Sequence, residues 1–324
     1  MKLEIRVEGS ENSYNRIVFG NSFQEIDSLR LTAYIIYLIN RNGYTSDFNS
    51  FREKIEEDKM YFAVSSPFFI EKNLIYLPVS SAFYTWLARF VNNKEALDTI
   101  TNKKKQKPYL PILELMKTNV ENFVKSFILE DRDSEKVYEF RKEIRIRNVI
   151  DRITSQSINL YPIVLSSLNP FHFLIKTNWE KIELIKSTLF DNEAIHFIGK
   201  RISIGYGKVK FYHDNTFPEE KIECEKTEEG YYYLMNRIPI NEKILESVEI
   251  ERSYYDIIKV KGYLPAENGK LVGRSLMCFK EGSILYFKGG NLKNYCFKID
   301  KNKGKNYFVV IRPMLIKIGE KVWV

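Results

Sequence analysis

The sequence predicts an α+β protein, and three patterns carry that expectation. A strand–helix–strand–strand order opens the chain, a second strand–helix unit recurs near its middle, and residues 229–324 alternate polar and apolar with many turn residues. Residues 3–9 (LEIRVEG) alternate as a half-buried strand does. Asp27 or Ser28 can cap a helix through LRLTAYIIYLINRN, and Gly43 supplies the stop at its C′ position. In that helix Leu29, Ala33, Ile36, Leu38 and Ile39 suit packing on a sheet. Residues 60–70 (MYFAVSSPFFI) and 74–78 (LIYLP) read as two strands joined by the short loop Glu71-Lys72-Asn73. That order fits a ferredoxin-like (RRM-like) sandwich.

The most polar stretch, 91–111, includes Lys103-Lys104-Lys105 and Lys107-Pro108. A helix is expected over roughly 112–129, with Leu113, Met116, Val120, Phe123, Val124 and Phe127 on one face. We take the basic and helical region around 91–140 as an insertion in an N-terminal ferredoxin-like domain, residues 1–160. A strand at 171–177, a helix at 178–190 and a strand at 193–198 then open a second ferredoxin-like domain, residues 161–324. This tandem domain carries a glycine-rich loop and a β-rich C-terminal portion.

With 324 residues and 44% apolar composition, the chain can bury cores for two domains. It carries 50 Lys and Arg against 42 Asp and Glu, a formal charge of +8. An excess of that sign is the weak electrostatic footprint of a polyanion binder. Cys224, Cys278 and Cys296 show no CxxC spacing, so neither a zinc knuckle nor a disulfide framework is indicated. Free core thiols in a reducing cytoplasm are expected. The N-terminus lacks an apolar signal core, and no apolar run approaches the ~20 residues that span a bilayer. The protein is therefore expected to be cytoplasmic, with no membrane partner.

Candidate catalytic groups are sparse. His172 and His196 alternate with Phe171, Phe173 and Phe197 in predicted strands, where a histidine is more often packed than catalytic. No HxH, HExxH or acidic cluster gives a metal site, and no cofactor is indicated. There is neither a Walker loop nor a strand–GxGxxG–helix unit, because Gly205-Tyr206-Gly207 leads into a strand.

The segment from Gly199 to Lys208 is the richest in donors. Gly199, Gly205 and Gly207 leave backbone N–H groups open to close approach, and Lys200, Arg201, Ser203 and Lys208 surround them. Tyr206 adds an aromatic face. Such a set suits a ligand with phosphates and flat bases, although a plain hairpin with a turn and a bulge uses glycines in the same way. A second constellation is Arg147, Asn148, Asp151, Arg152 and Thr154, which offers phosphate, base-edge and 2′-OH contacts or, equally, a charged face of internal ion pairs. The Lys103–Lys107 cluster is read as a solvated loop.

Taken in order, these residues resemble a RAMP-superfamily subunit of CRISPR effector complexes, most of all the fourth subunit of the type III-A (Csm) complex. The matching pieces are Phe62-Ala-Val-Ser-Ser-Pro-Phe68, Arg147-Asn-Val-Ile-Asp-Arg152, the glycine segment, Tyr232-Tyr-Leu234, Phe279-Lys-Glu-Gly-Ser283 and Ile311-Arg-Pro313 with the tail to Val324. The resemblance implies tandem ferredoxin-like domains, with the glycine segment and the Asn148–Arg152 region facing the 5′ handle of the CRISPR RNA. It also implies two protein partners, a large polymerase-like subunit and a backbone RAMP subunit, and no catalysis by the chain itself. Ile204 stands where a second small residue is common, and 91–140 has no counterpart. The alternatives are the repeat-processing endoribonuclease of the same superfamily, which typically has a histidine in its first domain, and a general single-stranded RNA-binding module.

Overall fold

Alternation at the N-terminus yields β1 (Lys2–Gly9), which buries Leu3, Ile5 and Val7 and is followed by β2 (Arg16–Val18). In the computed structural model the described residues are 2–9, 16–18, 26–42, 45–102, 106–129, 142–150, 157–167, 170–190, 196–197, 208–265, 271–299 and 307–318. Helix α1 (Ser28–Asn42) starts as expected, with the Arg30 N–H donating to Asp27 Oδ1 at 2.9 Å. Helix α2 (Thr45–Glu56) and β3 (Phe62–Val64) follow. The run 60–70 is two strands rather than one, because the chain leaves β3 at Ser65 and re-forms as β4 (Phe69–Glu71). β4 pairs with β5 (Leu74–Pro78) through Lys72 and Asn73, both at positive φ (49° and 66°). Two such residues make the tight hairpin whose twist matches its strands.

α3 (Ser81–Ala88) follows, and the region expected as an insertion holds α4 (Lys94–Thr101), β6 (Tyr109–Leu110), α5 (Ile112–Leu115) and α6 (Val120–Val124), which runs into a π turn over Lys125–Leu129. The single helix expected at 112–129 is broken because Asn119 caps α6, accepting the Asn122 N–H at 2.8 Å. Lys103–Lys105 lie outside the described residues, whereas Lys107 is tied down by donating its amine to the Phe127 carbonyl at 2.9 Å.

Next come β7 (Lys142–Ile150), β8 (Ser157–Ser167), β9 (Phe171–Thr177), α7 (Ile182–Phe190), β10 (His196–Phe197) and β11 (Lys208–Asp214). The central sheet has the order β10-β11-β1-β9-β3, antiparallel throughout. Without the short β10 this is the fourth-first-third-second order of a β-α-β-β-α-β unit. Strands from both sides of residue 160 thus share one sheet, so the boundary expected there cuts through the unit. β9, α7 and β11 complete the fold that β1, α1 and β3 begin, and the intervening segment 65–170 is inserted between the second and third strands. α1, α2 and α7 cover one face of the sheet, burying Ile35, Ile39, Phe51, Ile182 and Ile185 against Phe62, Phe173 and Ile175.

The C-terminal portion is β-rich: β12 (Lys226–Leu234), β13 (Ile238–Pro239), α8 (Glu242–Ser247), β14 (Ile257–Pro265), β15 (Leu271–Phe279), β16 (Ile284–Asn291), β17 (Tyr295–Ile299), β18 (Tyr307–Ile311) and β19 (Leu315–Lys317). β12 lies between β16 and β19, and the free edge of β16 is bridged by Val248 and Tyr254. This sheet and the insertion share a core that includes Phe83, Trp86, Leu87, Tyr233, Met235 and Ile316, and Leu174 of the central sheet joins it. The whole is an α+β fold. Among the described residues no helix is long and apolar enough to cross a membrane.

Candidate nucleic-acid interface

The period of two in β1, β9 and β11 gives the central sheet two unlike faces. Val209 and Phe211 are buried on the helix-covered face, while Arg6, Lys210 and Tyr212 are exposed on the other. Arg6 sits directly across from Tyr212, and Glu8 from Lys210. Directly opposed residues have Cβ atoms about 5 Å apart, so the Tyr212 ring, 43% exposed, has Arg6 across from it, with Lys210 and Asp214 two residues to either side along β11. An aromatic face flanked by cations on an open sheet is a platform for stacking unpaired bases and holding their phosphates.

Below this strip the same face is closed over. Glu4, His172, Leu174 and Phe217 are buried there, with Phe68 beside the His172 ring at 5.7 Å. Glu4 accepts the Phe217 N–H at 2.7 Å, and Asp214 accepts the Asn215 N–H at 2.7 Å and the Thr216 hydroxyl at 2.9 Å. Partial burial pushes the Asp214 carboxyl up, but those two hydrogen bonds, with His172 and Arg6 nearby, together hold the group below its usual range.

The expected RNA-binding residues fall in three places. Lys208 opens β11 directly opposite Phe197 of β10, so the two residues that flank 198–207 are strand partners. Gly199, Lys200, Arg201, Ser203, Gly205, Tyr206 and Gly207 lie outside the described residues. Arg147 and Asn148 stand on β7 opposite Tyr161 and Leu160 of β8, and Asp151, Arg152 and Thr154 lie outside the described residues.

Register relates these groups. Gly9 pairs with Val209 and Val7 with Phe171, so the start of β11 lies at the end of the sheet where β1 finishes and β9 begins. The β2-β8-β7 ribbon attaches at that same end, with Ser167 opposite Arg16. Arg147 lies toward the ribbon's far end, about 20 Å along β8 from Ser167 at ~3.4 Å per residue. The sequence missed Arg6, Lys210 and Tyr212; their signal was the alternation of KLEIRVEG and KVKFYHD, which acquires a meaning only once the two strands are known to be neighbours.

Several of the resemblance-bearing pieces prove to be joints of the core. Tyr233 donates its hydroxyl to the Pro78 carbonyl, and Ser66 N–H donates to the Met235 carbonyl at 2.9 Å. Arg237, between β12 and β13, donates through Nη1 to Asp27 at 2.7 Å and bidentately to Glu281 at 2.6 and 2.9 Å. Arg312, almost fully buried, donates to the Cys224 carbonyl at 2.7 Å.

The remaining candidate catalysts are packed. His196 stacks on Phe211 at 4.4 Å, with Nδ1 2.9 Å from the Tyr34 hydroxyl and Nε2 3.1 Å from the Leu189 carbonyl. Cys224 and Cys278 are buried free thiols, and burial pushes both up to about 12, so neither is a thiolate near neutrality. A separate cleft of about 400 Å³, lined by Asp58, Tyr61, Asn178, Glu225, Lys226 and Arg312, carries both signs of charge and suits a polyanion less well.

No family model and no curated protein matches the sequence. Among solved structures, a chain of the Csm3–Csm4 subcomplex of a type III-A CRISPR-Cas interference complex is similar over 98% of this chain and 99% of that one, with 19% identity and a TM-score of 0.50. The two chains share a fold. A chain of a Csm1–Csm4 cassette in complex with cA4 is similar over 98% of both chains, with 13% identity and a TM-score of 0.49. At these identities the likeness lies in architecture and says nothing about individual site residues.

Proposed function

We propose that this chain is a non-catalytic subunit of a type III CRISPR effector complex that binds and caps the 5′ repeat-derived handle of the guide RNA. The observation that carries the reading is the sheet face on which Arg6, Lys210 and Tyr212 are exposed, adjoining the strands β10 and β11 on either side of 198–207. In this reading Lys200, Arg201, Ser203 and Lys208, with Gly199, Gly205 and Gly207, hold backbone phosphates. Tyr206 and Tyr212 stack on bases, and Arg147, Asn148, Asp151, Arg152 and Thr154 contact handle nucleotides from the ribbon. The shared fold with a chain of the Csm3–Csm4 subcomplex supports a place between a large polymerase-like subunit and a backbone RAMP subunit. Two ferredoxin-like units in tandem would form the body of such a subunit.

Replacing Lys200 and Arg201 together by alanine should weaken binding of repeat-derived single-stranded RNA. It should also flatten the slope of log affinity against log salt by roughly one to two units. Fluorescence anisotropy across a salt series reads both quantities, and an unchanged slope would remove these residues from the interface. Tyr212→Ala, at an exposed position, should cost about 1–3 kcal/mol of RNA affinity with the thermal unfolding midpoint unmoved.

A further inference from the structure

Glu4, His172 and Asp214 come from three adjacent strands and meet on the same face as Arg6 and Tyr212, with His172 directly across from Arg6. Glu4 faces Asp214 across the β1–β11 pair, and His172 lies diagonally across β9. His172 Nδ1 is 3.4 Å from Glu4 Oε1 and 3.6 Å from Asp214 Oδ2. Glu4 is fully buried and His172 nearly so, yet Glu4 Oε1 and His172 Nδ1 have no hydrogen-bond partner among the described residues. The other oxygen of each carboxylate is already engaged: Glu4 Oε2 accepts from the Phe217 N–H, and Asp214 Oδ1 from Asn215 and Thr216. One oxygen of each is thus oriented by the protein, leaving Glu4 Oε1 and Asp214 Oδ2 turned toward the imidazole. That is how outer hydrogen bonds position metal ligands.

One imidazole and two carboxylates are a donor set that zinc takes and that the all-oxygen sites of calcium and magnesium lack, and the spacing is compatible with it. Ligand atoms around a tetrahedral ion with bonds of about 2.0–2.1 Å stand ~3.3–3.4 Å apart, as zinc requires, whereas octahedral magnesium at similar bond lengths brings adjacent ligands to ~3.0 Å. The two histidine–carboxylate spacings, 3.4 and 3.6 Å, lie nearer the wider figure, and all three donor atoms lie within 4.8 Å of one another. The Asp214 side chain is 30% exposed, so one side of the cluster is open to water as a fourth ligand and to entry. Lys2, 3.7 Å from Glu4 Oε2, balances the second carboxylate.

We propose that Glu4, His172 and Asp214 form a zinc site that pins β1, β9 and β11 together on that face. The site does not depend on the RNA reading. It escaped the sequence because its ligands are spaced by 168 and 42 residues, far from any HxH or HExxH pattern.

The test is titration of chelator-stripped full-length protein with zinc chloride against a chromophoric competitor. One zinc ion per chain and a raised unfolding midpoint are expected. Asp214→Asn keeps the acceptor for Asn215 and Thr216 but loses the anionic ligand, and should weaken zinc at least tenfold. Wild-type protein loaded with Co²⁺ should show the intense visible bands of a tetrahedral ion, a readout that needs no variant. Absence of stoichiometric zinc uptake, equal uptake by the variant, or an octahedral cobalt spectrum would each overturn the site, leaving a histidine–carboxylate ion pair.

Discussion

Arg237→Met is expected to destabilise the protein by about 3–5 kcal/mol, the usual cost of removing one partner from a buried ion pair. Arg237 is nearly inaccessible, as are Asp27 and Glu281, and its guanidinium is divided between them, single to Asp27 and bidentate to Glu281. Its backbone N–H also donates to Ser28 Oγ at 2.9 Å, so one residue fastens the start of α1 to the C-terminal portion. Burial pushes the Asp27 carboxyl up despite Arg237 beside it. Burial also acts on Glu281, but the paired guanidinium overrides it and holds that group below the usual range. The two linkages have opposite signs. The Glu281 contribution is present above its unfolded pKa and lost as pH falls through the folded one; the Asp27 contribution is present at low pH and lost as pH rises through its raised folded value. Without Arg237 both carboxylates are buried beside each other with no paired guanidinium, only the weaker influence of Arg30 on Asp27 and Lys280 on Glu281, so both rise. The deficit should therefore be largest at pH 7 and shrink as pH falls toward 5. Urea unfolding of both proteins across that range measures it, and a deficit that is constant or grows toward acid would refute the assignment.

Gly282→Ala should cost about 2–5 kcal/mol, as the sum of left-handed strain and overpacking. Gly282 has φ of +81°, and a Cβ there would sit 2.6 Å from the Pro78 carbonyl oxygen, the Ser80 nitrogen and the Val79 Cα. All three are backbone atoms and cannot rotate away. The residue also joins the two parts of the chain, its N–H donating to the Leu234 carbonyl at 2.8 Å and its carbonyl accepting from Ser80 Oγ at 3.0 Å. Gly290 is the control: its φ is +122°, but an added Cβ meets nothing within 4 Å. Gly290→Ala should show strain alone, roughly 1–2 kcal/mol. Equal losses at the two positions, measured by chemical denaturation, would mean that close approach at Gly282 contributes nothing.

Elements built from near neighbours were legible in the sequence. β1, α1 with its Asp27 cap and the β4–β5 turn follow from alternation, capping chemistry and turn residues. The partner of β1 was not legible. β9 lies far along the chain behind the insertion, and hydrophobic periodicity marks a strand without naming its neighbour. The site divides in the same way. The donors of Gly199–Lys208 stand out by density alone, whereas Arg6, Lys210 and Tyr212 become a group only through the register of β1 with β11. Phe279–Ser283 carried part of the resemblance, and the structure gives it a physical reason in the Glu281 ion pair and the close approach at Gly282.

The central claim is that the chain holds guide RNA without cutting it. Incubating the purified protein with end-labelled repeat RNA, with and without divalent metal, measures retention and cleavage together. The account predicts salt-sensitive retention of the single-stranded 5′ repeat end, with the RNA recovered intact under both conditions. Metal-independent cutting at one fixed position would contradict it and mark the chain as a repeat-processing nuclease.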